Sequence, residues 1–146
     1  MTTDILEIYK KDVKLNGTRS DGSQIKVMIV DDSLAFRRLL KRIFENTGYL
    51  VAAEVADGKE AVQQYDKVRP DVVTMDVTMP ELEGPASVEA IRKVYPEARI
   101  IMVSSLGHKE LVEEAIAKGA KGYILKPITD DSIPKVLETI KKTAVA

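Results

Sequence analysis

DVVTMDVTMPELEG, residues 71–84, decides how the rest of the chain is read. Its apolar run Val72, Val73, Thr74, Met75 is too short for a helix and rich in β-branched residues, which predicts a strand buried on both faces. Asp76 stands where that strand leaves the sheet, and a turn at Met79-Pro80 leads away from it. In an open parallel sheet ligands bind at the carboxyl ends of the strands, so this acid is the first candidate for chemistry. A turn aspartate satisfied by neighbouring backbone amides is the plainer alternative. What stands at the ends of the other strands decides between them.

From residue 26 onward short apolar runs alternate with amphipathic stretches five times. Strands are expected at 26–30 (KVMIV), 50–55 (LVAAEV), 71–75 (DVVTM), 99–103 (RIIMV) and 122–125 (GYIL). Phe36, Leu39, Leu40, Ile43 and Phe44 give the first helix an apolar face, opposite Arg37, Arg38, Lys41 and Arg42, and Gly48 closes it. Asp57 and Glu60 open the second, whose inner side is Ala61, Val62, Tyr65 and Val68. Pro85 suits the first turn of the third, with Val88, Ile91 and Val94 facing inward. Leu111, Val112, Ala115 and Ile116 line the fourth, ended by Gly119. The fifth is expected to start at Asp130 or Asp131, to hold Pro134 in its first turn, and to bury Ile133, Val136, Leu137 and Ile140. Strict βα alternation predicts an α/β fold: a five-stranded parallel sheet, doubly wound, with helices on both faces as a three-layer sandwich. Glu54 interrupts the second apolar run and marks that strand as an edge.

A chain of 146 residues is one domain's worth, long enough for a core without disulfides or structural metal. There is no cysteine, so no thiolate metal site exists, nothing points to an oxidising compartment, and a cytoplasmic location is expected. No apolar run reaches the roughly 18 residues of a membrane span, and the start lacks the pattern of a signal peptide, so no membrane association is expected. A net charge of −1, from 22 basic and 23 acidic residues, offers no field for nucleic acid. Ile5, Ile8, Tyr9 and Val13 have the spacing of a short amphipathic helix within residues 4–15, but a frayed chain end is the favoured reading there. The NGTRSDGSQ that follows has the composition of a flexible linker. Residues 1–25 are accordingly read as an extension and linker, and 26–144 as the folded domain. Few residues follow the fifth helix, so no output domain is expected after it.

Asp31-Asp32-Ser33 follow the first strand, Asp76 the third, Ser104-Ser105 the fourth and Lys126-Pro127 the fifth. All leave the same edge of a parallel sheet. Three carboxylates in one cleft repel one another and call for a cation, and oxygen ligands without His or Cys suit Mg²⁺, with Mn²⁺ as the alternative. Lys126 adds a positive charge for a phosphoryl group held against Asp76, and the Ser104 hydroxyl can donate to one of its oxygens. The set supports attack by an aspartate on a phosphoryl group. His108 lies outside the acid cluster and is expected to be a surface residue.

VDDS (30–33), MDVTMPELEG (75–84), Ser104-Ser105 and GAKGYILKP (119–127) together resemble the receiver domain of two-component response regulators, from about Lys26 to Lys142. Within that family the chain looks most like the stand-alone chemotaxis regulators of the CheY type. The resemblance implies a flavodoxin-like sheet of order 2-1-3-4-5. It implies Asp76 as the residue phosphorylated by a histidine kinase, and Asp32, Asp76 and the Thr78 carbonyl as the Mg²⁺ site with Asp31 beside it. It also implies Lys126 as a contact to the phosphoryl group, Ser104 and Tyr123 as a switch pair, and a cis Lys126-Pro127 bond. Thr78 and Leu106 would flank the path of the hydrolytic water. Leu106 cannot orient water, so slow self-dephosphorylation and a separate phosphatase are expected. The expected target is a flagellar motor switch or its equivalent, bound by a monomer. Glu83 stands where the family usually has Asp or Asn, and Pro85 follows Gly84; both bear on the geometry of the loop beside the site. A phosphorelay intermediate is the alternative in the same class. A Mg²⁺-dependent aspartyl-phosphate hydrolase is the alternative among enzymes, but its nucleophile would end the first strand with a second acid two residues on, and the adjacent Asp31-Asp32 does not match.

Overall fold

The computed structural model describes residues 16–145; the stretch 4–15, read as a frayed end or a short helix, lies outside them. Strands β1 (Lys26–Val30), β2 (Leu50–Val55), β3 (Val72–Asp76), β4 (Ile100–Ser104) and β5 (Gly122–Leu125) form one sheet. Its order is β2-β1-β3-β4-β5 and every neighbouring pair is parallel, so β2 is an edge, as expected, and β5 is the other. Between them run α1 (Leu34–Asn46), α2 (Gly58–Val68), α3 (Gly84–Val94) and α4 (Lys109–Ala117), and α5 (Ile133–Ala144) closes the chain.

Period-2 alternation divides the inner strands between two cores, while β5 gives Ile124 to one of them and exposes Tyr123 and Leu125. Met28, Val30, Val73, Met75, Ile100 and Met102 face Ala61 and Tyr65 of α2, Val88 and Ile91 of α3, and Val112 and Ala115 of α4. Val27, Ile29, Val72, Ile101 and Ile124 face Leu40 and Phe44 of α1 and Val136, Leu137 and Ile140 of α5. Every residue of β3 and β4 is buried. Each such aliphatic side chain contributes about 1.5–3 kcal/mol relative to exposure, which is why the apolar runs dictate the strands. Caps then fix where helices begin: Ser33 Oγ accepts from the Phe36 N–H at 3.2 Å, and Asp57 Oδ1 from the Glu60 N–H at 2.7 Å. Pro85 and Pro134 occupy first turns, where a missing N–H costs nothing.

Four expectations need correction. β3 and β4 each begin and end one residue later than the apolar pattern indicated, so Asp71 and Arg99 precede their strands and Asp76 and Ser104 end them, in register with Val103 and Leu125. α5 begins at Ile133, because Ser132 Oγ accepts from the Thr129 N–H (2.9 Å) and donates to the Thr129 carbonyl (3.0 Å), which holds residues 129–132 as a separate turn. Val94 and Ile116 point outward: the inner face of α3 continues from Ile91 to Tyr95, whose ring lies 5.0 Å from that of Tyr65, and α4 turns Val112 and Ala115 inward instead. Finally, the stretch 16–24 is folded against the domain. Thr18 and Gln24 form an antiparallel bridge, the Gly17 N–H donates to the Thr47 carbonyl at 2.7 Å, and Arg19 pairs with Asp71 at 3.0 Å. Lys141 Nζ donates to the Asn16 carbonyl at 2.7 Å, and the Tyr49 hydroxyl donates to Asn16 Oδ1. Gly17 lies so close to Tyr49 that a Cβ would sit 2.3 Å from its ring, so here glycine is a packing residue.

Candidate functional site: an acid cluster at the carboxyl edge of the sheet

β1 and β3 are neighbours, so the residues that leave their carboxyl ends meet above the sheet. Carboxylate oxygens of Asp31, Asp32 and Asp76 lie within 4.8 Å of one another. Asp31 and Asp76 are buried and Asp32 is exposed, so the cluster opens to solvent through Asp32. Lys126, from the end of β5, reaches across with Nζ 2.8 Å from Asp31 Oδ2 and 3.5 Å from Asp76 Oδ2. Lys126-Pro127 is a cis peptide bond, as the resemblance implied.

Three carboxylates against one ammonium leave a negative surplus in a confined space. Burial raises the Asp76 carboxyl above its usual value, and the Asp31 charge raises it further, against the Thr78 N–H and Lys126, which act the other way. Burial alone would lower Lys126, but the hydrogen bond to Asp31 and the charges of Asp76 and Asp31 outweigh it and hold the ammonium protonated above its usual range. A donor set made only of carboxylate oxygens fits a hard divalent cation such as Mg²⁺ or Mn²⁺.

Local structure supports each group. Asp31 Oδ1 accepts from the Ser33 N–H at 2.8 Å, which leaves Oδ2 to Lys126. The Thr78 N–H donates to Asp76 Oδ1 at 3.2 Å. Gly84 donates its N–H to the Val77 carbonyl, and a Cβ there would lie 2.7 Å from the Asp76 carbonyl oxygen, so the loop closes over the strand end only with glycine. Glu83 is exposed and makes no side-chain cap to α3, while Pro85 is buried in its first turn.

The remaining candidates are less tightly gathered. Ser104 is buried, but its hydroxyl donates to the Ser105 carbonyl at 2.9 Å. Tyr123 pairs with Met102 and Leu125 with Ser104, so all four side chains share one face of the sheet, and Tyr123 lies diagonal to Ser104. Tyr123 is 52% exposed and Leu106 83% exposed. His108 is half-buried at the start of α4, outside the acid cluster.

Two residues beside the cluster were not read as site residues. Arg37, assigned to the solvent side of the first helix, donates Nη1 to the Asp31 carbonyl at 2.7 Å and sets Nε 3.6 Å from Glu54. The signal was Glu54 itself, since a carboxylate interrupting an apolar strand needs a nearby cation. Phe36, assigned to the core, is half-buried and carries Lys126 Nζ 4.2 Å from its ring centroid.

Residues 27–138 match the family described as response regulator receiver domain. The chemotaxis protein CheY of Thermotoga maritima is 43% identical over 117 residues, which cover 80% of this chain and 98% of that protein. CheY of Listeria monocytogenes is 42% identical over 120 residues, covering 82% and 98%. A chain in the crystal structure of the CheX-CheY-BeF3-Mg+2 complex from Borrelia burgdorferi superposes with a TM-score of 0.81 at 37% identity, covering 88% of this chain and 96% of that one.

Proposed function

The chain belongs to the family of response regulator receiver domains, and from that premise we propose that it takes a phosphoryl group on Asp76 from a histidine kinase and relays it as a change in affinity for a target protein. The observation that carries this reading is the convergence of Asp31, Asp32 and Asp76 within 4.8 Å under the ammonium of Lys126. A carboxylate oxygen of Asp76 attacks phosphorus. The P–N bond of a phosphohistidine, or the P–O bond of a small acyl phosphate, breaks, and the leaving group takes the bonding pair. Lys126 moves an N–H from Asp76 to an oxygen of the arriving phosphoryl group while keeping Asp31.

Asp31, Asp32, Asp76 and the Thr78 carbonyl are the groups that would hold Mg²⁺ or Mn²⁺, and a bound cation supplies neutralisation of the phosphoryl oxygens. The presence of Mg+2 in the Borrelia complex supports that assignment. Ser104 turns its hydroxyl from the Ser105 carbonyl to the phosphoryl group, and Tyr123, diagonal to it, turns inward into the space released. Thr78 and Leu106 flank the water that later hydrolyses the acyl phosphate, and Leu106 keeps that step slow. The chemotaxis relatives support a flagellar motor switch or equivalent as target, and the CheX partner of the Borrelia protein supports a second protein, such as a phosphatase, acting on this domain. Such partners would place its action in the cytoplasm. Incubation with acetyl phosphate, with Mg²⁺ or with excess EDTA, followed by intact mass measurement, tests the proposal: one phosphoryl group should be added with Mg²⁺ and none with EDTA. Labelling that ignores EDTA would refute the cation's part, and none under either condition would refute the whole.

A further inference from the structure

Lys126 must be held over the acid cluster and yet stay able to take hold of an arriving phosphoryl oxygen. An ammonium has three N–H donors. Asp31 Oδ2 holds the ammonium as an ion pair at 2.8 Å, and Asp76 Oδ2 accepts one N–H at 3.5 Å. The structure also sets the face of Phe36 against Nζ, 4.2 Å from the ring centroid, well within the range at which an aromatic quadrupole attracts a cation. The Lys126 side chain is 20% exposed, so this attraction acts on a largely desolvated charge. An aromatic face attracts without committing an N–H to a single acceptor atom. A carboxylate or amide in its place would claim the third donor.

The ring is also fixed relative to the acids by the start of α1. Asp31 Oδ1 accepts from the Ser33 N–H, Ser33 Oγ accepts from the Phe36 N–H, and Phe36 packs on the α1–α5 side of the core. One short segment thus positions both the carboxylate and the aromatic surface that meet Lys126.

Building on the phosphoacceptor reading, we propose that Phe36 is a positioning residue for phosphoryl uptake: its ring holds the Lys126 ammonium at the cluster while leaving a donor for the phosphoryl group. Its ring meets Lys126, so its effect is on the rate of uptake and passes through that ammonium. The test is the rate of labelling by acetyl phosphate at saturating Mg²⁺, in the full chain, for Phe36→Leu, Phe36→Met and Phe36→Tyr, each also combined with Lys126→Ala. Calorimetry of each variant with Mg²⁺ alone reports the cation site separately. Loss of the ring in the Leu and Met variants should slow uptake about threefold to tenfold, as expected for a partly desolvated cation–π contact, with Mg²⁺ affinity changed by less than about twofold. Phe36→Tyr should retain the wild-type rate. In the Lys126→Ala background the Leu and Met substitutions should cost nothing further, since the contact they remove is already gone. Wild-type rates in Leu and Met, or an equal loss with and without Lys126, would overturn the proposal and leave Phe36 a packing residue. Absence of any label on the wild type would instead overturn the phosphoacceptor reading on which it stands.

Discussion

Two aspartates bracket β3, and they live by opposite rules. Asp71, just before the strand, accepts from the Lys26 N–H at 2.8 Å, pairs with Arg19 at 3.0 Å, and gives its own N–H to the Lys26 carbonyl. Its charge is answered by its surroundings. Asp76, the last residue of the same strand, is buried beside a second buried carboxylate and shares one lysine with it. Burial and the charge of Asp31 raise its carboxyl above the usual value. A strand-end position alone therefore does not make an aspartate reactive. Of the two ends of β3, the carboxyl end is the one where charge is left unanswered inside the fold, and the proposed cation and phosphoryl group would meet it there.

The contrast can be broken most completely through labelling. Asp76→Asn keeps the shape, removes the nucleophile and should abolish uptake from acetyl phosphate, whereas Asp71→Asn should label within about twofold of wild type, since uncoupled sites act independently. Cation affinity sharpens it next. Asp32→Ala should weaken Mg²⁺ by at least about tenfold, because loss of even an outer partner of a metal ligand costs about 10- to 100-fold, while Ser104→Ala and Asp71→Ala leave calorimetric affinity near wild type. Downstream, phosphorylation should raise affinity for a motor-switch target by about 5- to 150-fold, and Tyr123→Ala should remove most of that gain without altering labelling. An undiminished gain would show that Tyr123 is not part of the switch.

The smallest effects are in stability, and they have opposite signs. Asp71→Asn should cost about 1 kcal/mol, the scale of a half-exposed charged hydrogen bond. Asp76→Asn should stabilise the protein in EDTA. Because the folded carboxyl is raised, its ionised form costs stability in full above the folded value, and that cost is gone below the usual value of 3.8. The gain in thermal midpoint should therefore be greatest at neutral pH and should shrink as pH falls through the carboxylate range. Equal signs for the two variants would mean that the two ends of β3 do not differ as described.

Sheet, helix order and acid cluster were legible because each depends on local pattern: apolar runs fix strands, and a strand's carboxyl end fixes which side chains converge. What stayed hidden depends on contacts remote in sequence. Gly17 looked like looseness, but its missing side chain lets Tyr49 pack against the backbone. Arg37 looked like a solvent-facing cation until Glu54 and the Asp31 carbonyl were brought beside it from other elements. Phe36 satisfied the helical pattern as core, and nothing in the periodicity announced that its face would meet Lys126 from the far end of the chain. Ser132, not Asp130 or Asp131, heads α5, because a serine that bonds back to Thr129 makes its own turn.

Whether Asp76 is the phosphoacceptor is read most directly from the position of the phosphoryl group, found by peptide mapping of wild-type protein after brief exposure to acetyl phosphate and Mg²⁺. Modification of Asp76 alone is expected, with Asp31, Asp32 and Asp71 unmodified; a phosphoryl group on any of those three, or its absence from Asp76 in labelled protein, would overturn the assignment of Asp76 as phosphoacceptor.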